Sequence, residues 1–175
     1  MTSTTNTTPL EDLWSILMSR LGPTKEKEAP ARSRSRVIRT AKYKRDVKPF
    51  HLSSGQAYII VKHGIPSRSL TPLSEYLGIG KGAVASYLAL DRATATRKAA
   101  KDEMLPMYAA ESMLRLLELD SLAKETFETA DEAAGWMRKA HPMLDGESPL
   151  ECAKSGFGAQ RVKDILVAIK YGGVV

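Results

Sequence analysis

One cysteine and three histidines stand among 175 residues. The lone Cys152 excludes an internal disulfide framework and fits a reducing cytosol. His51, His63 and His141 fall at unrelated spacings, and no Cys-x-x-Cys or paired-histidine pattern exists, so neither a metal nor any other cofactor is expected. Aromatic residues make up only 6% of the chain, and strand-favouring runs are rare. No run of about 18 apolar residues exists, so no membrane span is expected. The polar start, Met-Thr-Ser-Thr-Thr-Asn-Thr-Thr, lacks the apolar stretch of a secretory signal, which makes the cytoplasm the expected location. Gly78-Ile79-Gly80-Lys81-Gly82 resembles a phosphate loop only superficially, because the Lys-Ser/Thr ending and a preceding strand are missing. With no catalytic constellation in view, the chain is not expected to be an enzyme.

What is present favours helices. Hydrophobic residues reach 43% and charged residues 26%, a globular composition, and alanine, leucine, lysine and glutamate suit helix. The net charge of +6 is unevenly spread. Residues 25–48 carry ten Lys/Arg against three acids, and residues 81–101 five against one. Residues 102–151 carry four against twelve. A basic front half suits phosphate, whereas the acidic half would repel it. The carboxylates of 111–132 read as a solvated helical face.

Thr8-Pro9-Leu10-Glu11 opens the first helix with a capping box and a proline at its first position. Leu10, Leu13, Trp14, Leu17, Met18 and Leu21 form one face, and Gly22-Pro23 ends it. That face has two equal destinations, the chain's own core or a partner. Residues 24–48, with an Arg-Ser repeat at Arg32, Arg34 and Arg36, have too few aliphatic residues to fold alone. They read either as a solvated linker or as a basic arm on nucleic-acid phosphate.

Ser53 caps a second helix with apolar Ala57, Tyr58, Ile60 and Val61, stopped by Gly64 and Pro66. Leu70 to Ala89 reads as a helix-turn-helix with Gly78 in its tight turn. Leu73, Leu77, Ile79, Val84, Tyr87 and Leu88 face inward, and Ser74 sits where the helices cross. The outward positions of the second helix are Lys81, Gly82, Ala83, Ala85, Ser86 and Ala89. Such a face lets backbone approach phosphate closely but holds few side chains that read base edges, so the unit either binds DNA mainly through its backbone or serves as packing scaffold. Lys81, Ser86, Arg92, Arg97 and Lys98 are the DNA-contact candidates, with Lys101 adding charge and Arg34 and Arg36 of the arm helping.

Residues 104–127 form the longest helical pattern. Met113, Leu114, Leu117, Leu119, Ala123 and Phe127 spread over more than one face, which predicts a central helix buried from two sides. Glu111 is placed in its first turn. Thr129–Glu132 is another capping box, before a helix with Ala133, Trp136, Met137 and Ala140 on its buried side. His141-Pro142 ends that helix, with His141 expected to satisfy a terminal carbonyl. Ser148-Pro149-Leu150-Glu151 is a further capping box, with Leu150, Cys152 and Ala153 as core candidates and Gly156 as the stop. The last helix spans about Gly158 to Tyr171, with Val162, Ile165, Leu166 and Ile169 inside and Gly172 just past its end.

Pro142-x-Leu144-x-Gly146-x-x-Pro149-Leu150-Glu151, then Gly158-Ala159-x-Arg161-Val162 and Ile169-x-Tyr171-Gly172, resemble the Xre/MbcA/ParS-type antitoxin family. Ala110-Glu111-Ser112 with Leu114 and Arg115, and Ala133-x-x-Trp136-Met137, fit the same family. The resemblance covers about 53–175. It departs at Asp145, where the family often has a second glycine. The chain is expected to be all-α in three parts: an amphipathic helix and basic arm over 1–48, outside the resemblance, a helix-turn-helix domain over 49–105, and a central helix with what the resemblance implies is a toxin-binding domain over 106–175. The implied function is that of a type II antitoxin. It would cover the active cleft of a RES-domain toxin that consumes NAD, bind its own operator DNA, and form a homodimer within a toxin–antitoxin assembly. Arg161, Lys170, Tyr171, Gly172, Gly173, Val174 and Val175 are the implied toxin contacts, with Gly172-Gly173 freeing the last two valines to enter a cleft. The alternative is a stand-alone helix-turn-helix regulator without a toxin.

Overall fold

A computed structural model describes residues 8–22 and 51–172. Among these the chain forms nine α-helices and no strand. They are α1 (Pro9–Met18), α2 (Ser54–His63), α3 (Leu70–Leu77), α4 (Lys81–Tyr87), α5 (Arg92–Lys101), α6 (Met107–Thr126), α7 (Ala130–Arg138), α8 (Pro149–Cys152) and α9 (Gly156–Lys170). Short 3-10 turns occupy Ser67–Ser69 and Pro142–Leu144. Arg34, Arg36, Gly173, Val174 and Val175 lie outside the described residues, as does the side chain of Arg92.

Packing is organised around α6. Pro106 precedes its first turn, and buried side chains surround the helix: Ala109, Met113, Leu116, Leu117 and Ala123 among them. A helix apolar on most sides must be covered on most sides. Here α2, α7 and α9 pack on it. Glu118 pairs with Lys163 and Glu125 with Lys170, both at a separation of 45 residues. Two pairs at one offset, seven residues apart along each helix, mean that α6 and α9 run parallel and in step. Glu111 is exposed and lies beyond the first turn of α6, which begins at Met107, so the expected dipole contact is corrected. The solvated acidic face is corrected at one place as well. Asp120 is buried, faces Tyr76 and pairs with Lys124 at 2.8 Å, and the Lys124 ammonium sits 3.9 Å from the Tyr76 ring centroid.

The first helix takes the internal option. Thr8 and Glu11 form the capping box, and Leu13 and Leu17 are fully buried as α1 packs against α3. The His63 ring nitrogen meets the Arg20 carbonyl at 2.7 Å, tying the end of α1 to the end of α2. Ser53 and Gln56 form a second reciprocal cap. Tyr58, placed with the apolar residues of α2, is instead 65% exposed.

Gly78 takes the left-handed conformation (φ +61°) that ends α3 and turns the chain into α4. Ser74 donates its hydroxyl to the Ile79 carbonyl at 2.6 Å across that turn. Leu73, Val84, Tyr87 and Leu88 are buried as expected. Ala85, assigned to the outer face, is buried too, because the bend after Tyr87 folds Leu90 back to donate to the Ala85 carbonyl. The chain then clasps itself. Ser67 N–H donates to Glu103, Leu105 N–H donates to Ile65, and the Ser67 hydroxyl bonds the Lys98 carbonyl. One hydrophobic core runs from Leu13 to Leu166 without a break.

Candidate partner-binding site

The geometry after α7 follows from local capping. Thr129 and Glu132 cap α7 reciprocally. Ala140, expected inside, is exposed because α7 ends at Arg138 and the chain has already turned extended at Lys139. His141 does not satisfy a carbonyl of that helix. Its ring nitrogen accepts the Met143 N–H at 3.2 Å, so it caps the turn that follows. Ser148 caps α8 by accepting from Glu151 N–H, and Pro149 fills the first position. The reciprocal half of that box is absent, because the Glu151 carboxylate bonds Lys154 instead.

Gly156 opens α9 rather than stopping α8. Ser155 is the N-cap and accepts from Gly158 N–H at 3.0 Å. Gly158 is buried where the α8–α9 corner closes, and a β-carbon there would overlap the Cys152 carbonyl. Glycine is therefore required by close approach of two backbones. Cys152 is half-buried, and burial pushes its thiol above the usual range.

Val162, Ile165 and Leu166 of α9 face the core. The opposite face carries Phe157, Gln160, Asp164, Val167 and Tyr171, at alternating spacings of three and four, with the Gln160 amide donating to the Asp164 carboxylate at 2.8 Å. Phe157 is 91% exposed, Tyr171 77% and Val167 40%. A phenylalanine this bare, on the same side as another aromatic and a valine, is an unusual surface for a monomer. Phe157 is absent from the sequence-based expectation because a last helix over Gly158–Tyr171 excludes it, whereas α9 begins at Gly156. Its signal is readable: on a wheel begun at Gly156 it falls opposite Val162 and Leu166.

The sequence-assigned residues sit around this face in different ways. Arg161 lies one turn from Phe157 and bonds Asp145 (3.0 Å) and the Met143 carbonyl (2.8 Å). The Asp145 carboxylate holds the guanidinium above its ordinary pKa. Asp145 is itself left-handed (φ +57°), a conformation glycine adopts freely. Aspartate tolerates it here while its side chain restrains Arg161. Arg161 thus fixes the 142–145 turn, whose Met143 is 45% exposed. Lys170 is turned toward Glu125 at 2.7 Å, on the other side of α9 from Arg161. Gly172 follows the end of α9 at φ +74°.

The DNA candidates lie elsewhere. Lys81 and Ser86 are exposed on α4, beside exposed Gly82 and Ala83. Arg97 is on α5, 3.7 Å from Glu103. The Lys98 ammonium is only 17% exposed in side chain and bonds Glu103 and the Met104 carbonyl, both at 3.1 Å. The two regions touch through buried contacts. The Tyr87 hydroxyl of α4 donates to the Ala153 carbonyl at 2.9 Å. Burial pushes that phenol up to about 12, partly opposed by Arg115. Arg138 of α7 donates to the Leu77 and Gly78 carbonyls at the end of α3.

Among the described residues no group of His, Cys, Asp or Glu could hold a metal ion, and no helix is long and apolar enough to cross a membrane. The region from the end of α6 through α9 is a small helical module that packs one face of its last helix and leaves Phe157, Val167 and Tyr171 exposed around a polar Gln160–Asp164 pair on the other, a mixed surface suited to protein contact. Residues 122–172 match the family model of the antitoxin Xre/MbcA/ParS C-terminal toxin-binding domain, so this part of the chain is similar to the toxin-binding domain of that antitoxin type. The match is narrower than the resemblance over 53–175 and leaves α1 to α5 and most of α6 outside it. No curated protein matches the chain.

Proposed function

We propose that this chain is a type II antitoxin that neutralises a RES-domain, NAD-consuming toxin by covering its active cleft, and that it binds operator DNA as a homodimer to regulate its own expression. The observation that carries the toxin half is the exposure of Phe157, Val167 and Tyr171 on one side of α9 and its end, inside the matched segment. Phe157, Val167 and Tyr171 contact the toxin, with Arg161 at the edge and Gly172 to Val175 as the tail that fills the cleft. Lys170 acts at one remove, by holding the last turn of α9 against Glu125. The RES class of the toxin is inherited from the resemblance in the C-terminal motifs.

The DNA half rests on the exposed Lys81, Ser86 and Arg97 and on the small side chains between them, which allow close backbone approach to phosphate. Arg92 and the arm residues Arg34 and Arg36 add charge. Lys98 contributes by fixing the end of α5 through Glu103. Co-expression with a RES-domain toxin is the test. Wild-type antitoxin should restore growth, preserve cellular NAD and co-purify with the toxin. Deletion of 172–175 should weaken neutralisation, and full rescue by both that deletion and Phe157→Asp would overturn the cleft reading. A stand-alone regulator would bind DNA with a steep salt dependence yet capture no toxin.

A further inference from the structure

Four residues of α9 carry a charge: Arg161, Lys163, Asp164 and Lys170. Three of them are paired with groups outside the helix. Arg161 is held by Asp145 and the Met143 carbonyl, Lys163 by Glu118, and Lys170 by Glu125. Asp164 is the exception. It is exposed and has no ion-pair partner among the described residues. Its hydrogen bond is the one from the Gln160 amide to Oδ1 at 2.8 Å, which leaves Oδ2 without a protein partner.

Position gives this carboxylate its meaning. At about 100° per residue, Phe157, Gln160, Asp164, Val167 and Tyr171 share about 80° of the helical wheel. Asp164 stands midway between Phe157 and Tyr171, about 10 Å along the axis from each. A protein that seats both aromatics must therefore also strip water from Asp164. A carboxylate that loses water is strongly disfavoured unless a cation meets it.

We infer that Asp164 pairs with an arginine or lysine of the toxin at the centre of the interface, with Gln160 positioning the carboxylate through its other oxygen. This rests on the toxin reading above and deepens it by naming the surface opposite: apolar pockets with one cation between them. The proposed occupant supplies that chemistry, because a cleft that takes up the diphosphate of NAD must bind anions. The rest of α9 does not oppose it. Taken with Asp145, Glu118 and Glu125, the three cations of the helix face four carboxylates, so the unbalanced charge is the one on Asp164.

The test titrates the full-length chain calorimetrically with the RES-domain toxin that it neutralises in co-expression. Asp164→Asn keeps the side-chain shape and an acceptor for Gln160. It should weaken toxin binding about 30-fold, the effect of removing one partner of a desolvated charge pair, with an unchanged thermal midpoint. Asp164→Arg should weaken binding further, and reversing one arginine or lysine of the toxin cleft to glutamate should restore it, which no misfolded chain could do. An Asp164→Asn affinity within about twofold of wild type, or tighter, would overturn the pairing and leave the toxin face standing. So would the absence of any toxin cation whose reversal rescues Asp164→Arg. A wild-type chain that captures no toxin would overturn the toxin reading itself, and the pairing with it.

Discussion

Two helices of this protein turn opposite kinds of face to solvent. Outside, α4 presents Lys81, Gly82, Ala83 and Ser86, with no large side chain among them, while α9 presents Phe157, Val167 and Tyr171. Both bury their other faces equally well: Val84, Ala85 and Tyr87 in one, Val162, Ile165 and Leu166 in the other. Packing therefore does not account for the difference. A face of small residues and one cation suits a polyanion whose backbone must come close. A face of exposed aromatics suits a protein surface with pockets to fill. One scaffold thus carries two surfaces of different chemistry, and the Tyr87–Ala153 hydrogen bond ties α4 to the end of α8, beside the start of α9.

The largest expected effect removes α9 from its place. Replacing a helical glycine by alanine is ordinarily stabilising by close to 1 kcal/mol. At Gly158 the sign reverses, because the new methyl overlaps the Cys152 carbonyl and the α8–α9 corner must open. Gly158→Ala should cost about 3 kcal/mol, which for a chain of this size lowers the thermal midpoint by roughly 6–12 °C. Stabilisation on substitution would show that the corner yields freely. Next comes Phe157→Ala, which touches nothing in the core and should leave the midpoint unchanged. Toxin affinity measured by calorimetry should fall about 30-fold, the effect of losing an interface anchor worth about 2 kcal/mol. The matching change on α4, Lys81→Ala, should leave toxin affinity alone.

Tyr87→Phe probes the bond beneath both faces. It deletes one hydroxyl, leaves the ring's packing intact and strands the buried Ala153 carbonyl. Denaturant unfolding should show a loss of about 1–2 kcal/mol. No loss at all would mean that this hydrogen bond does not help to hold α4 against the end of α8.

Much of this architecture was legible where local chemistry dictates it. Thr8, Ser53 and Thr129 each sit three residues before a Glu or Gln that answers them, and each starts a helix as read. Gly78 and Gly172 end helices for the same backbone reason. Errors came where tertiary contact overrules local rules. Gly156 looked like a stop because glycine is a poor helix former, but the Ser155 cap makes it the first residue of α9. Glu151 looked like half of a capping box until Lys154 took its carboxylate. Asp120 looked solvated until α3 brought Tyr76 onto it. The candidate toxin face suffered most, since the late start given to α9 hid Phe157, the most exposed of the large hydrophobic side chains.

The smallest expected effect concerns the pair that anchors the end of α9. Glu125 accepts from Lys170 at 2.7 Å and faces the His51 ring nitrogen at 2.8 Å. Burial pushes its pKa up, but the Lys170 bond and charge, with His51, outweigh that and hold it below the ordinary 4.5. A carboxyl with a lower pKa folded than unfolded stabilises the fold fully above its unfolded value. That contribution is lost as pH falls through the folded value. Glu125→Gln should therefore lower the thermal midpoint near neutrality, by no more than the roughly 2–4 °C that about 1 kcal/mol from a partly exposed pair allows. The gap from wild type should close as pH drops below 4.5. Glu11, Asp91 and Glu103 are also held low and titrate in the same range, so the difference between the two proteins, not either curve alone, isolates Glu125. A gap of constant size across that range would assign the loss to packing rather than charge. Because Lys170 and Arg161 lie on opposite sides of α9, this substitution should also leave Phe157-dependent toxin affinity nearly unchanged, separating the residue that seats the helix from the face that the helix presents.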